Sequence, residues 1–409
     1  MRSCAPPGCG TVVPVAEAVR DGGGPPEFDL HGHVGIRLLD ARDDDVRRVE
    51  RQLGPLHGRL AREPDITIRF VDRLELRGSL TYVGLHDAGF DEHAFYLLRG
   101  KGNVQGKARL AFQDVGASCH IECERSLPDV PLLLAIINMT ALAKGVLPLH
   151  GSAFVHEGRG VLATGWAKGG KTEMLLSFAD RGADYVGDEW VYLTPDGGMF
   201  GLPEPIRLWR WQLAQLPRFA DRLRRSERLR LLALDVAARG LEGIAPRARP
   251  AGTASVLRRA APVVRRQVNV QVPPARLFGA RAIALRSQLE RIIFVSSHQA
   301  REVRVEAIDA SDVASRMLAS NAEERQAFMS YYRQFRFAFP QLRSPLVERA
   351  SQVETRLMAK CLRGSPAVWL RHPYPMDIAA LSEPVMDFIV NEPASRRRPA
   401  RCSCRPSGP

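Results

Sequence analysis

Residues Gly165-Trp-Ala-Lys-Gly-Gly-Lys-Thr172 spell out G-x-x-x-x-G-K-[ST], a string that dictates its own surroundings. Such a turn belongs between a buried strand and the first turn of a helix, where successive backbone N–H groups converge and the helix dipole favours negative charge. The flanks comply. Gly160-Val-Leu-Ala-Thr164 is a short apolar run ending at the first glycine of the loop, as a buried strand should. Beyond the loop Met174, Leu175 and Phe178 recur at helical spacing, and Gly182 offers a C-terminal stop. With Gly at 34 of 409 residues and six lysines, an accidental match is expected in on the order of 0.4% of such chains.

A loop of this kind cradles the phosphates of a nucleotide. The expected nucleotide-binding residues are therefore Gly165, Trp166, Ala167, Lys168, Gly169, Gly170, Lys171 and Thr172. Lys171 would reach the β- and γ-phosphates and the Thr172 hydroxyl would ligate magnesium, so the expected cofactors are ATP and Mg2+. An acidic pair, Asp188-Glu189, follows only 17 and 18 residues after Lys171. Tyr185, Val186, Trp190, Val191 and Tyr192 around it favour a single strand over 183–193. Upstream, 149–155 reads as a strand, His156-Glu-Gly-Arg159 as a tight turn and 160–164 as the partner strand, so a β-hairpin leads into the loop.

Elsewhere the organisation is read from composition and periodicity. Residues 1–28, with Asp21-Gly-Gly-Gly-Pro-Pro26, read as a disordered leader. A small α+β domain over 29–130 follows, with strands at 34–39, 66–70, 94–98, 107–112 and 118–123 and a helix at 44–53. A larger domain, 131–390, opens with a helix at 132–144. It carries an Arg-rich insertion at 213–266, with two helical pieces around Gly243-Ile-Ala-Pro-Arg-Ala-Arg-Pro250. A strand at 289–295 pairs with 303–305, helices follow at 310–335 and 345–362, and 368–370 is a last strand. Residues 391–409, with Arg396-Arg-Arg-Pro399, read as a disordered basic tail.

The net charge of +13 is concentrated: residues 207–266 hold 15 arginines and four acids. A solvated surface or the seat of an acidic partner explains that segment, and nucleic acid is not an expected partner. The longest apolar stretch, 131–143, is interrupted by Asn138 and Thr140 and is too short to span a bilayer; no membrane partner is expected and the cytoplasm is the expected location. Seven cysteines, at 4, 9, 119, 123, 361, 402 and 404, form neither a disulfide framework nor a zinc spacing. Cys119 and Cys123 share one face of a strand, where packing is their expected role.

At Gly170-Lys-Thr-Glu173, Gly187-Asp-Glu189 and His150-Gly151 the chain resembles the HPr kinase/phosphorylase family, whose catalytic domain is a P-loop fold related to phosphoenolpyruvate carboxykinases. In that family the loop ends Gly-Lys-Ser-Glu, an Ala-Asp-Asp follows at this distance, and a His-Gly precedes the loop. The resemblance covers roughly residues 149–208 and weakens toward 300. Where the family loop opens Gly-Asp-Ser-Gly this one has Gly165-Trp-Ala-Lys168, and Glu189 replaces the second Asp; the chain looks like a divergent member.

The resemblance implies an α/β fold class: a P-loop nucleotide-binding domain of the HPr kinase / PEP carboxykinase type, preceded by the small α+β N-terminal domain. It implies Asp188 as the catalytic group that takes the proton of an acceptor hydroxyl. His150 would assist it or polarise the transferring group, and Thr172, Glu173, Asp188 and Glu189 would be metal ligands. Each keeps a plainer reading: Asp188 as a magnesium ligand only, His150 as structural, Glu173 as an acid that suits the helix dipole. Lys168 touches phosphate or faces solvent, Trp166 covers the nucleotide or packs on the surface, and Arg207 is a candidate for binding phosphate or acceptor. His372-Pro-Tyr-Pro375 reads as turn chemistry. The expected function is ATP-dependent transfer of the γ-phosphoryl group to a Ser or Thr hydroxyl of a protein or peptide acceptor, by a chain that forms a homo-oligomer. The alternatives are a P-loop ATPase and a nucleotide-dependent regulatory module without a phosphoacceptor.

Overall fold

The computed structural model describes residues 24–76, 78–84, 87–99, 105–244 and 267–391. Most of the expected leader (to residue 23), the tail from 392, part of the Arg-rich segment (245–266) and Cys4, Cys9, Cys402 and Cys404 lie outside the described residues. The architecture is mixed α/β, with two large sheets and a two-stranded ribbon.

Strands β1 (Glu27–Leu30) and β2 (Val34–Leu39) form an antiparallel hairpin. Helix α1 (Asp43–Leu53) carries Asp43, Asp44 and Asp45 in its first turn, where the dipole favours them, and buries Val46, Val49 and Leu53. It returns the chain to β3 (Ile66–Val71), parallel to β2. With β4 (Thr81–Val83), β5 (Ala88–Phe90), β6 (Phe95–Arg99), β7 (Gln105–Leu110) and β8 (Cys119–Glu124) these build an eight-stranded sheet in the order β1-β2-β3-β8-β7-β6-β5-β4. Cys119 and Cys123 lie on one face of β8 as buried free thiols.

Helix α2 (Leu133–Ala143) is apolar on nearly every side, as a helix covered all round must be. It packs on β2 of the first sheet and on β9 (Leu147–His156) of the second. Glu157 (φ 49°) and Gly158 (φ 78°) turn β9 into β10 (Arg159–Thr164); two left-handed residues match the twist of a two-residue hairpin. Helix α3 (Lys171–Asp180) follows the glycine loop. The stretch 183–193 is two strands, not one: β11 (Asp184–Gly187) and β12 (Trp190–Leu193). Glu189 takes φ 61° between them, a conformation that a ladder residue does not adopt.

Next come β13 (Gly198–Gly201), β14 (Ile206–Trp209), α4 (Arg210–Gln215), α5 (Pro217–Asp221), α6 (Arg225–Ile244), β15 (Asn269–Val272), α7 (Pro274–Phe278) and β16 (Arg286–Gln288). β14 and β15 pair as the separate ribbon. β17 (Arg291–His298), β18 (Arg304–Ala307) and β19 (Ala367–Pro373) complete the second sheet. β18 pairs with β19, not with β17 as the sequence suggests for 303–305. β19 takes that edge of β17 along seven parallel pairs, and the short, exposed β18 suits a sheet margin. The helix expected over 310–335 is likewise two, α8 (Ala310–Glu324) and α9 (Gln326–Ala338), jointed at Arg325. The joint lets α8 pack on β9 while Phe328 and Phe335 of α9 meet Phe112 and Phe95 of the first sheet's core. Helices α10 (Pro345–Cys361) and α11 (Met386–Val390) flank the C-terminal strand β19.

One apolar core runs from β2, β3 and β8 through α2 to Leu149, Val186 and Phe294 of the second sheet. A second cluster covers the other face of that sheet beneath α3 and the ribbon. β10, β17 and β19 run parallel, and the 165–170 loop leaves the C-terminal end of β10, where open α/β sheets form their crevices. No helix among the described residues is long and apolar enough to cross a membrane.

Candidate functional site

The loop leaves β10 with Gly165 at φ 155° and enters α3 with Gly170 at φ 107°. A Cβ on Gly165 would stand 2.2 Å from the Val295 carbonyl oxygen of β17, and one on Gly170 2.7 Å from His372 Nε2 of β19; glycine is required at both. His372 is fully buried and donates from Nε2 to the Gly169 carbonyl at 2.8 Å, so the parallel strands clamp the loop from behind. Lys171 folds over it, donating from Nζ to Trp166 O at 3.0 Å and to Gly165 O at 3.2 Å. Burial lowers the Lys171 pKa, and the charges of Glu189 and Asp188 oppose that fall. Lys168 (φ 64°) and Trp166, 53% exposed, face outward.

Alternation along β9 puts His150 and Ser152 on one face. Ser152 Oγ donates to Asp188 Oδ1 at 2.5 Å, and Thr172 Oγ1 lies 3.1 Å from both Asp188 oxygens. Asp188 is 2% exposed. Burial pushes its carboxyl up to about 6, the Glu189 charge adds to the rise, and the two hydroxyls pull against it. His150 sits between two carboxylates, with Nε2 3.3 Å from Glu189 Oε2 and Nδ1 2.9 Å from Glu324 Oε1 at the end of α8. Burial works against the imidazolium, but hydrogen bonds to Glu189 and Glu324 outweigh it and raise the His150 pKa. The same bonds lower those of Glu189 and Glu324. Asn321, one turn earlier on α8, accepts from His150 N at 3.3 Å and donates to Pro148 O and to Glu354 Oε1.

Facing the loop, β14 and α4 complete a cleft of about 1080 Å³ lined by the loop, the acidic pair, His150, Glu324 and Arg207. Arg207 is exposed there and makes no ion pair among the described residues. Glu173 accepts from Gln212 Nε2 of α4 at 2.8 Å. Of the four expected metal ligands, the structure joins Thr172 to Asp188, sets Glu189 against His150 and ties Glu173 to α4. Among the described residues no group of three or more His, Cys, Asp or Glu is arranged to hold a metal ion. A further carboxyl, Glu204, is buried with Oε1 unpartnered, and burial followed by the charges of Glu189 and Asp188 raises its pKa well above the ordinary value.

Three residues in this arrangement escape the sequence reading, Ser152, Glu324 and Gln212; a fourth, His372, reads as turn chemistry there but lies buried on strand β19. Ser152 is recoverable, since it lies two positions after His150 on the same strand face. His372 hides in a Pro-rich string, and Glu324 and Gln212 reach the site only through tertiary packing. No family model matches the chain, and a search of curated proteins finds no match.

Proposed function

We propose that this chain is a phosphotransferase built on a P-loop domain of the HPr kinase / PEP carboxykinase type, as a divergent relative of HPr kinases acting in the cytoplasm. It transfers the γ-phosphoryl group of ATP to a Ser or Thr hydroxyl of a protein or peptide. The observation that carries this reading is the contact of the Thr172 hydroxyl with both oxygens of the buried Asp188, 3.1 Å away. Ordinary P-loop ATPases place their acidic strand much farther from the loop than the 16 residues that separate these two.

The loop amides and Lys171 would bind the phosphates, and Thr172, Asp188 and Glu189 would offer oxygens to the Mg2+ that accompanies ATP, which would neutralise phosphate charge there. Asp188 takes the acceptor proton, a task suited to a carboxyl held near 6. His150, whose pKa burial lowers but hydrogen bonds to Glu189 and Glu324 raise on balance, stands beside the transferring group, where its protonated form would stabilise the developing charge. Arg207 favours an acidic acceptor.

Incubation with γ-labelled ATP and Ser/Thr peptides or cell extract tests the reading: label on an acceptor, lost in Asp188→Asn, is expected. Label found only as free phosphate would make the chain an ATPase. Nucleotide binding with no turnover would make it a regulatory module.

A further inference from the structure

The cleft that holds the acidic pair also carries aromatic rings that face water. Trp211 on α4 is 38% exposed and Tyr374, just after β19, 74% exposed. Both line the same cleft as Lys171 and Thr172. Their backbone is braced: Gln215 accepts from Ile378 N at 2.9 Å and donates to Met376 O at 3.1 Å, joining α4 to the segment after β19. Gln212, beside Trp211, holds Glu173 in the first turn of α3, and Tyr374 follows two residues after His372, which holds the Gly169 carbonyl. The two rings thus share the loop's own supports. Exposed aromatic rings on a braced wall offer flat, stackable surface to a ligand.

We propose that Trp211 and Tyr374 receive the base of a purine nucleoside triphosphate whose phosphates lie on the 165–172 loop; this rests on the phosphate-binding reading of that loop. The direction follows from the loop. Lys171 and Thr172 take the terminal phosphates beside Asp188, so the nucleoside extends away from the acidic pair, along the part of the cleft that Trp211 and Tyr374 line. Among the described polar side chains of α4, Gln212 is engaged by Glu173 and Trp209 N, Gln215 by residues 376 and 378, and Arg210 by Asp235 at 2.8 Å. Stacking without edge-reading hydrogen bonds tolerates any base of similar ring area, so adenine and guanine nucleotides bind alike.

Calorimetric titration of the full chain with ATP, GTP and inorganic triphosphate, each with magnesium, tests this in the wild type, Trp211→Ala, Tyr374→Ala and Trp211→Phe. ATP and GTP are expected to weaken about tenfold in Trp211→Ala, matching about 1.4 kcal/mol of lost stacking. Tyr374→Ala should weaken both in the same direction, Trp211→Phe should restore most of the affinity, and triphosphate should bind all four proteins equally. Equal loss for ATP and triphosphate, or no loss for ATP while a peptide acceptor weakens, overturns the proposal. A wild type that binds triphosphate as tightly as ATP overturns it alone; one that binds neither overturns the phosphate reading of the loop as well.

Discussion

Ser152 donates to a carboxylate that burial has stripped of water, and its loss leaves Asp188 the Thr172 hydroxyl and the Glu189 backbone. A hydrogen bond to a charged group contributes about 1.5–3 kcal/mol. Ser152→Ala should therefore lower kcat for transfer about ten- to a hundredfold with the KM for ATP unchanged, as steady-state kinetics would read. Asp188 also carries a stability signature. Its folded pKa, about 6, stands above the ordinary 3.8, so the native state holds the proton more tightly than the unfolded chain. That contribution is complete below about 4 and lost as pH rises through 6. Asp188→Asn has no such proton to lose and should gain stability relative to wild type across this window, seen by comparing urea midpoints at acid and neutral pH. The meeting of Thr172 and Asp188 is legible in sequence because strand, loop, helix and strand follow one another within a few dozen residues. Glu324 is not legible, because its approach to His150 depends on where α8 ends.

The glycine loop is held as an element by β17 and β19, so its supports can be probed apart from its ligands. Gly170→Ala forces a Cβ at φ 107° against the His372 ring, at a cost of about 1–3 kcal/mol. His372→Phe leaves the Gly169 carbonyl unpaired, at about 1–3 kcal/mol. Both variants should shift denaturation midpoints downward and weaken triphosphate binding, the second measured by calorimetry. The hairpin, loop and α3 were readable because glycine, turn and apolar signals agree over a short span. The interruption at Asp188-Glu189 was not, because Tyr185, Val186, Trp190, Val191 and Tyr192 all favour a strand and the left-handed Glu189 that breaks it leaves no sequence mark. Helical periodicity also continues through Arg325, so the joint between α8 and α9 reflects the two surfaces they cover. The choice of β19 over β17 by β18 is a tertiary pairing with no local trace.

Across the whole molecule, Arg325 pairs with Glu354, which is 3% exposed and also bonds Asn321, the residue that holds the backbone of His150. Arg325→Ala strands that carboxylate in the interior and should cost about 3–5 kcal/mol in chemical denaturation. The core that passes through α2 from the first sheet into the second also governs how the cleft can move. Rotation of one body on another requires an interface that parts or slides, and interdigitated apolar side chains resist both. The floor of the cleft, β9, belongs to that shared core through Leu147, Leu149 and Ala153. Its outer wall does not: Leu213 and Leu216 of the α4 region, with Met376 and Ile378, pack in the separate cluster on the far face. That cluster also takes in Phe154 of β9 and Val161 and Ala163 of β10, so the wall is packed to the floor by apolar contacts of its own, and a ligand meets a cleft whose shape is set before it arrives.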